Sequence, residues 1–129
     1  MANEAILVEG PYQCHDFTVA TGTAIPQFTL MQMGVDRTAV ISAGANVFAG
    51  IAMTEKTTTD GVTNLGLLTN SAIVELTDSG SGITVGSRVM LSAANTIKAA
   101  DAAGIAAGKD FGKALETFTA AQVKEVLLD

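Results

Sequence analysis

The spacing of turn residues is the feature of this sequence that most restricts its fold. Thirteen glycines and two prolines punctuate the chain, and the short runs between them are rich in β-branched residues. Short runs separated by turn signals are typical of β-sandwiches and β-barrels. The 129 residues suffice for one such domain and leave little room for a second core. The sequence therefore predicts an all-β fold, either a small β-barrel or a β-sandwich.

Several segments have the β-branched composition or the alternation expected of strands. The Asp60-Gly61 pair predicts a turn with positive φ, and the three threonines before it, residues 57–59, predict an exposed loop or edge. The alanine-rich stretch 99–107 is interrupted by glycines and predicts an irregular or one-turn helical link. The C-terminal segment fits a strand or a helix capped by Thr119, and we favour the strand. The predicted strands are DFTVATGTAI (16–25), QFTLMQMG (27–34), RTAVISAG (37–44), VFAGIAMTE (47–55), SAIVELT (71–77), RVMLSA (88–93), DFGKALETF (110–118) and VKEVLLD (123–129).

The stretch GITVGSRVMLSA, residues 82–93, raises the question of a phosphate-binding loop. A P-loop needs Lys followed by Ser or Thr after its glycines, and a dinucleotide loop needs three glycines at fixed spacing. This stretch has two glycines and no such lysine, and the residues after it are apolar and β-branched. It predicts a turn that leads into a strand.

Residues 1–15 form a segment distinct from the rest of the chain. The run from Ala5 to Val8 is strand-like, but Pro11 supplies no N–H donor to a sheet. We predict an extended N-terminal arm over residues 1–15 and a single β-domain over residues 16–129. The apolar run of the arm is too short for a signal peptide, and no run approaches the ~20 apolar residues of a membrane helix. The sequence therefore predicts a soluble protein made in the cytoplasm.

Charge argues against nucleic acid as a partner. The formal charge is −6, whereas binding phosphates requires clustered Lys and Arg. The basic residues stand singly, at Arg37, Lys56, Arg88, Lys98, Lys109, Lys113 and Lys124.

Catalytic and metal-binding residues are scarce. The triplet Cys14-His15-Asp16 contains the only histidine and the only cysteine, but adjacent residues of an extended chain point in opposite directions. One His and one Cys cannot supply a zinc site, and a lone cysteine fits a reducing compartment. We predict no catalytic residues, no metal and no cofactor, and we interpret the remaining carboxylates as solvated surface charges.

The order of segments resembles the head decoration (cement) proteins of tailed bacteriophages. The similar segments run through VFAGIA, a Thr/Asp/Gly loop, SAIVELTDSGSGITVGSRVMLSAANTIKAA, FGKALET and VKEVLLD, and they cover roughly residues 22 to 128. The resemblance implies a compact β-domain without catalytic residues that binds the outer surface of a capsid. It further implies the major capsid protein as the partner, clamping of neighbouring capsid subunits, and a homo-oligomer, with a trimer favoured.

An N-terminal arm that contacts the capsid is also implied by this resemblance. Apolar residues in such an arm have no core of their own to bury them, so they are candidates for the partner interface. The candidates are Ile6, Leu7, Val8, Tyr12 and Phe17.

Two other classes remain open. One is a minor head or tail structural subunit, such as a head-fibre base or a tail-tube-like protein. The other is a small β-sandwich module that binds sugar or peptide, although the sequence offers few aromatic residues for a binding patch. A thiol hydrolase at Cys14 and His15 is the least favoured reading.

Overall fold

The computed structural model describes residues 3–129 as a nearly all-β protein. Every neighbouring pair in its two sheets is antiparallel, apart from one short parallel contact in the first sheet. The elements are β1 Ile6–Glu9, β2 Gln13–Thr18, β3 Leu30–Met33, β4 Ala39–Ile41, β5 Phe48–Ala52, β6 Asn64–Asn70, β7 Ala72–Asp78, β8 Arg88–Ala93, β9 Thr96–Ala99, α1 Ala102–Ala106, β10 Asp110–Ala114 and β11 Val123–Leu128.

The first sheet closes into a five-stranded barrel with one extra strand. Its order is β1-β7-β11-β10-β8-β9, and β9 returns to pair in parallel with the end of β7 through Thr77 and Asp78. The extra strand β1 pairs with the first half of β7. Because closure pairs both edges of the ladder, most barrel strands have no free edge. The barrel interior is fully buried and includes Val74, Leu76, Val89, Leu91, Ile97, Val126 and Leu128.

The second sheet has the order β2-β6-β5-β3-β4 and packs against the barrel. Leu30, Ile51 and Leu68 from this sheet are buried in the same cluster as the barrel residues. Phe48 of β5 stacks on Phe111 of β10, with ring centroids 3.9 Å apart and planes 14° from parallel. Apolar residues on β3, β5 and β6 thus join the two sheets through one shared core.

A second buried cluster lies on the other side of this sheet and includes Met31 and Leu67. Here β5 approaches β6 closely at Gly50, whose φ is +155°. A Cβ at this position would lie 2.6 Å from the Cβ of Leu67. No L side chain fits such a contact, so the sheet requires glycine at this point.

The turn between β8 and β9 inserts a polar residue between the two sheets. Asn95 is fully buried and has a φ of +55°. Its Oδ1 accepts a hydrogen bond of 2.8 Å from the N–H of Leu30 in β3. Its own N–H donates to the Ser42 hydroxyl, which in turn donates to the Ala93 carbonyl. These bonds satisfy backbone groups that would otherwise be buried without partners.

Lys56 is also buried, with 1% of its surface exposed. Its Nζ donates to the carbonyls of Thr21, Thr23 and Thr57, and its carboxylate neighbour Asp60 lies 4.0 Å away. Burial of a charge is tolerated only where it is paired or hydrogen-bonded. The ammonium group therefore fixes the loop before β3 to the segment after β5.

Asp78 departs from the interpretation of the carboxylates as solvated surface charges. It is 1% exposed, and its Oδ2 accepts from the N–H groups of Gly82 and Ala121 while Oδ1 has no protein partner. It sits at the end of β7, where it holds two loops together. The prediction of surface exposure was wrong here because sequence alone does not show that these loops meet.

Most predicted strands appear in the structure. The turn at residues 82–86 is confirmed, because Gly82 and Gly86 have φ values of +79° and +88° and β8 follows directly. The link after β9 contains the five-residue helix α1, and the C-terminal segment is the strand β11. The strand β6 was missed, since no strand was predicted over NLGLLTN, which follows the Asp60-Gly61 turn.

Residues 1–15, predicted as an arm, contribute to both sheets. Residues 6–9 form β1 beside β7, and the segment from Gln13 begins β2 beside β6. Ala5 is buried against the barrel core and donates to the Phe28 carbonyl. Met1 and Ala2 lie outside the described residues.

Candidate partner-binding surface

The five predicted contact residues occupy two different parts of the surface. Ile6 and Val8 project outward from β1 and are 51% and 42% exposed. Tyr12 is 50% exposed and lies beside Gly10, in the link from β1 to β2. Leu7 packs against the barrel core. Phe17 packs against the second cluster, with the Arg37 guanidinium 5.4 Å above its ring.

Strand alternation explains why Ile6 and Leu7 differ. Successive side chains of a strand point to opposite faces, and Leu7 pairs with the buried Val74 whereas Ile6 pairs with the partly exposed Glu75. A bulge between Leu7 and Glu9 then places both Val8 and Glu9 opposite one stretch of β7. The exposed candidates are therefore Ile6, Val8 and Tyr12.

Register extends this exposed surface across three strands. β11 pairs with β7 so that Glu125 lies opposite Glu75, Leu127 opposite Ile73 and Val123 opposite Thr77. All these positions share the side of the barrel that faces away from its core. We call this surface the outer face; it consists of Ile6, Val8, Ile73, Glu75, Val123, Glu125 and Leu127.

The outer face combines apolar side chains with negative charge. Val123 is 46% exposed, and Ile73 and Leu127 are partly exposed. A third carboxylate is close, because Glu116 accepts a hydrogen bond of 3.1 Å from the N–H of Glu125. The face therefore presents apolar side chains around two carboxylates, and the exposed Lys113 of β10 borders it opposite Leu127.

Sequence reasoning missed the part of this face formed by β7 and β11. The alternation of Ile73 and Glu75 against Val74 and Leu76 was visible in SAIVELT and indicated one exposed side. Leu127 lies beside Ile73 because β7 and β11 pair. These two residues are 54 positions apart in sequence, and no local pattern encodes such a pairing.

An ionic cluster borders the outer face at the end of β11. The Arg88 guanidinium donates to both carboxylate oxygens of Asp129, at 2.6 and 2.8 Å, and to Asp110 at 2.9 Å. These hydrogen bonds raise the pKa of Arg88 and lower that of Asp129 below its usual 3.8. The cluster ties β8, β10 and the residue after β11 together.

Cys14 and His15 do not form a nucleophile and base pair. They are consecutive residues of β2, both exposed, and they pair with Leu68 and Leu67 across the sheet. Partial burial raises the pKa of the Cys14 thiol, whereas a catalytic cysteine requires a lowered pKa.

Clusters of potential metal ligands and membrane-spanning helices are both absent from the described part of the chain. Within residues 3–129, no group of three or more His, Cys, Asp or Glu side chains is placed to hold a metal ion. No helix in the same range is long and apolar enough to span a bilayer. A small open pocket near β4 is lined by apolar groups and one hydroxyl, contributed by Ala20, Thr23, Ile25, Ala39, Val40 and Ile41.

These features define a two-sheet, all-β protein of the barrel type, with an exposed apolar and acidic face on its barrel. No protein-family model matches the chain, and no curated protein matches it. Among solved structures, it is similar to the head fibre gp8.5 N base of bacteriophage phi29. The two share 17% sequence identity with a TM-score of 0.55, over 92% of this chain and 95% of that one.

The TM-score and the coverage show a shared fold, and at 17% identity the similarity shows the fold alone. The fold expected from the resemblance to phage head proteins is thus one that a phage head protein adopts. That neighbour is a head-fibre base, which is the example of a minor head component considered from the sequence.

Proposed function

We propose that this chain is a structural protein of a phage head, located on the outer surface of the virion. The observation that carries this proposal is the fold shared with the head-fibre base over nearly the whole of both chains. The order of sequence segments supports it independently, since it resembles head decoration proteins. The neighbour's name describes a head component, which supports a structural role here and not an enzymatic one.

Within this role, we propose decoration of the capsid by binding across neighbouring major capsid subunits. The protein is made in the host cytoplasm and assembles as a homotrimer, so that each trimer contacts several subunits. Linked contacts of this kind raise overall avidity far above that of one contact. A standard interface of about 800 Å² per partner is accessible to a domain of this size.

The N-terminal segment supplies the contacts in this proposal. Ile6 and Val8 share β1, and they and Tyr12, in the link to β2, are each at least 42% exposed. Large exposed apolar side chains of this kind indicate an interaction site. Leu7 supports that surface from beneath, because it packs on the barrel core, whereas Phe17 packs on the second cluster.

Co-sedimentation of the purified protein with undecorated, expanded phage heads tests the proposal. We expect saturable binding at a fixed ratio to capsid subunits. The double variant Ile6→Ser/Val8→Ser should bind at least tenfold more weakly. The control Val35→Ser/Ile105→Ser removes two exposed apolar residues elsewhere, 76% and 47% exposed, and should bind like the wild type. Folded protein that never sediments with heads would refute the proposal.

The head-fibre base is the second candidate, and the structural similarity itself favours it. A decoration protein covers the capsid lattice regularly, whereas a fibre base occupies its sites as the root of a projecting fibre. Electron microscopy of reconstituted heads separates the two. Compact density at every equivalent lattice position supports decoration, and a density from which a fibre projects supports the base.

A further inference from the structure

Tyr12 is the only tyrosine of the chain, and its ring lies against Gly10 in the link between β1 and β2. A Cβ placed on Gly10 would lie 3.1 Å from Cδ1 and 3.7 Å from Cε1 of the ring. Gly10 is not among the glycines with a positive φ, so its backbone conformation is open to other residues. What glycine provides at this position is room for the aromatic ring.

The backbone is restricted on both sides of Tyr12. Before it, the pyrrolidine ring of Pro11 fixes the φ of that residue. After it, Gln13 begins β2 opposite Asn70, and its carbonyl accepts a 3.1 Å hydrogen bond from the Thr69 hydroxyl. The ring of Tyr12 is therefore held at one place on the surface although half of the residue is exposed.

An exposed tyrosine held in this way has the properties of a binding anchor. Tyrosine is enriched among the residues that dominate interfaces, because it offers a large contact area and has only two side-chain torsions to immobilise. A ring that is ordered before binding loses still less entropy when a partner covers it. The Tyr12 hydroxyl has no hydrogen-bond partner among the described residues, so it is available to a partner as well.

We propose that Tyr12 is the anchor by which this protein binds its partner, and that Gly10 is the positioning residue that orders the Tyr12 ring. The matching surface of the partner is an apolar pocket that takes up the ring and carries a hydrogen-bonding group for the hydroxyl at its end. The identification of that partner as a capsid subunit rests on the proposed function.

Fluorescence tests the positioning role in the free protein, because the chain has one tyrosine and no tryptophan. We expect the anisotropy of the tyrosine emission to fall in Gly10→Ala, since the added methyl group displaces the ring. The Tm should stay unchanged, because the displaced ring is exposed. The matched control Gly22→Ala adds a methyl group where no atom lies within 4 Å, and it should change neither quantity. Equal anisotropy of Gly10→Ala and the wild type would overturn the role of Gly10.

Co-sedimentation with undecorated, expanded phage heads tests the anchor. Tyr12→Ala should bind at least ~tenfold more weakly than the wild type. Tyr12→Phe loses the hydrogen bond and Gly10→Ala loses the order of the ring, so each should bind about fivefold more weakly. The control Val85→Ala, at a residue 54% exposed, should bind like the wild type. Unchanged binding of Tyr12→Ala would overturn the anchor, and unchanged binding of Tyr12→Phe would exclude the hydrogen bond.

The two experiments together distinguish this inference from the proposed function. If the wild type sediments with heads and Tyr12→Ala sediments equally well, the inference fails while the proposed function stands. If the wild type does not sediment, the proposed function fails, and a capsid pocket for Tyr12 fails with it. The anisotropies of the wild type and Gly10→Ala still decide in that case whether Gly10 orders the ring.

Discussion

Replacing Asn95 should weaken the packing of the two sheets and lower the free energy of unfolding. Two separate contributions make up this loss: a lost hydrogen bond and backbone strain. Loss of Oδ1 leaves the buried N–H of Leu30 without its 2.8 Å acceptor, at a cost of about 1–3 kcal/mol. An alanine at a φ of +55° adds about 1 kcal/mol of backbone strain. Asn95→Ala should therefore lower the free energy of unfolding by about 2–4 kcal/mol.

Asn95→Gly separates the two parts, because glycine adopts positive φ freely but has no acceptor. It should be more stable than Asn95→Ala by about 1 kcal/mol and less stable than the wild type by about 1–3 kcal/mol. Urea unfolding followed by far-ultraviolet circular dichroism measures both, with Asn64→Ala, an exposed strand position, expected within about 0.5 kcal/mol of wild type. The reasoning is refuted if the glycine and alanine variants are equally stable, or if both match the wild type.

Three further predictions concern stability. Lys56→Met removes the buried ammonium that donates to three carbonyls and should cost about 1–3 kcal/mol in urea unfolding. A loss below ~0.5 kcal/mol would contradict a structural role for this ammonium. Gly50→Ala places a Cβ 2.6 Å from that of Leu67 and should cost more than ~2 kcal/mol, visible as a lowered Tm. Arg88 lowers the pKa of Asp129, so this stabilisation is present above pH ~4 and is lost as the pH falls further. Since Asp129 is nearly half exposed, Asp129→Asn should lower the free energy of unfolding by less than ~1 kcal/mol at pH 7. In acid, the free energies of unfolding of this variant and the wild type should converge. A difference between them that stays constant with pH would exclude a contribution from the ionised Asp129.

The strands that sequence predicted are those in which local pattern and burial coincide. SAIVELT alternates because Val74 and Leu76 face the core while Ile73 and Glu75 do not. β6 was not predicted, because its core residues are leucines, which have no strong preference for strands, and because a turn signal precedes it. Local pattern thus identified most alternating strands, but it overran β2, which ends at Thr18 within the predicted strand 16–25.

The candidate surface was predictable only in part. Ile6 and Val8 were predicted as contact residues because they are apolar and lie in the N-terminal segment. Both side chains are exposed in the structure. The pairing of Glu75 with Glu125 depends on the register of two strands separated by a long stretch of chain. Register of this kind is set by barrel closure, so it emerges only when the whole sheet is assembled.

The position of β7 has a consequence for the order of events on the ribosome. β7 pairs with β1 from the start of the chain, with β9, and with β11 at residues 123–128. The barrel therefore cannot close until translation has passed Leu128. More than half of the chain must be synthesised before β7, the partner of β1, is complete. Such non-local pairing slows folding and leaves strand edges open in the nascent chain. One edge of β7 therefore stays unpaired until β11 has been made.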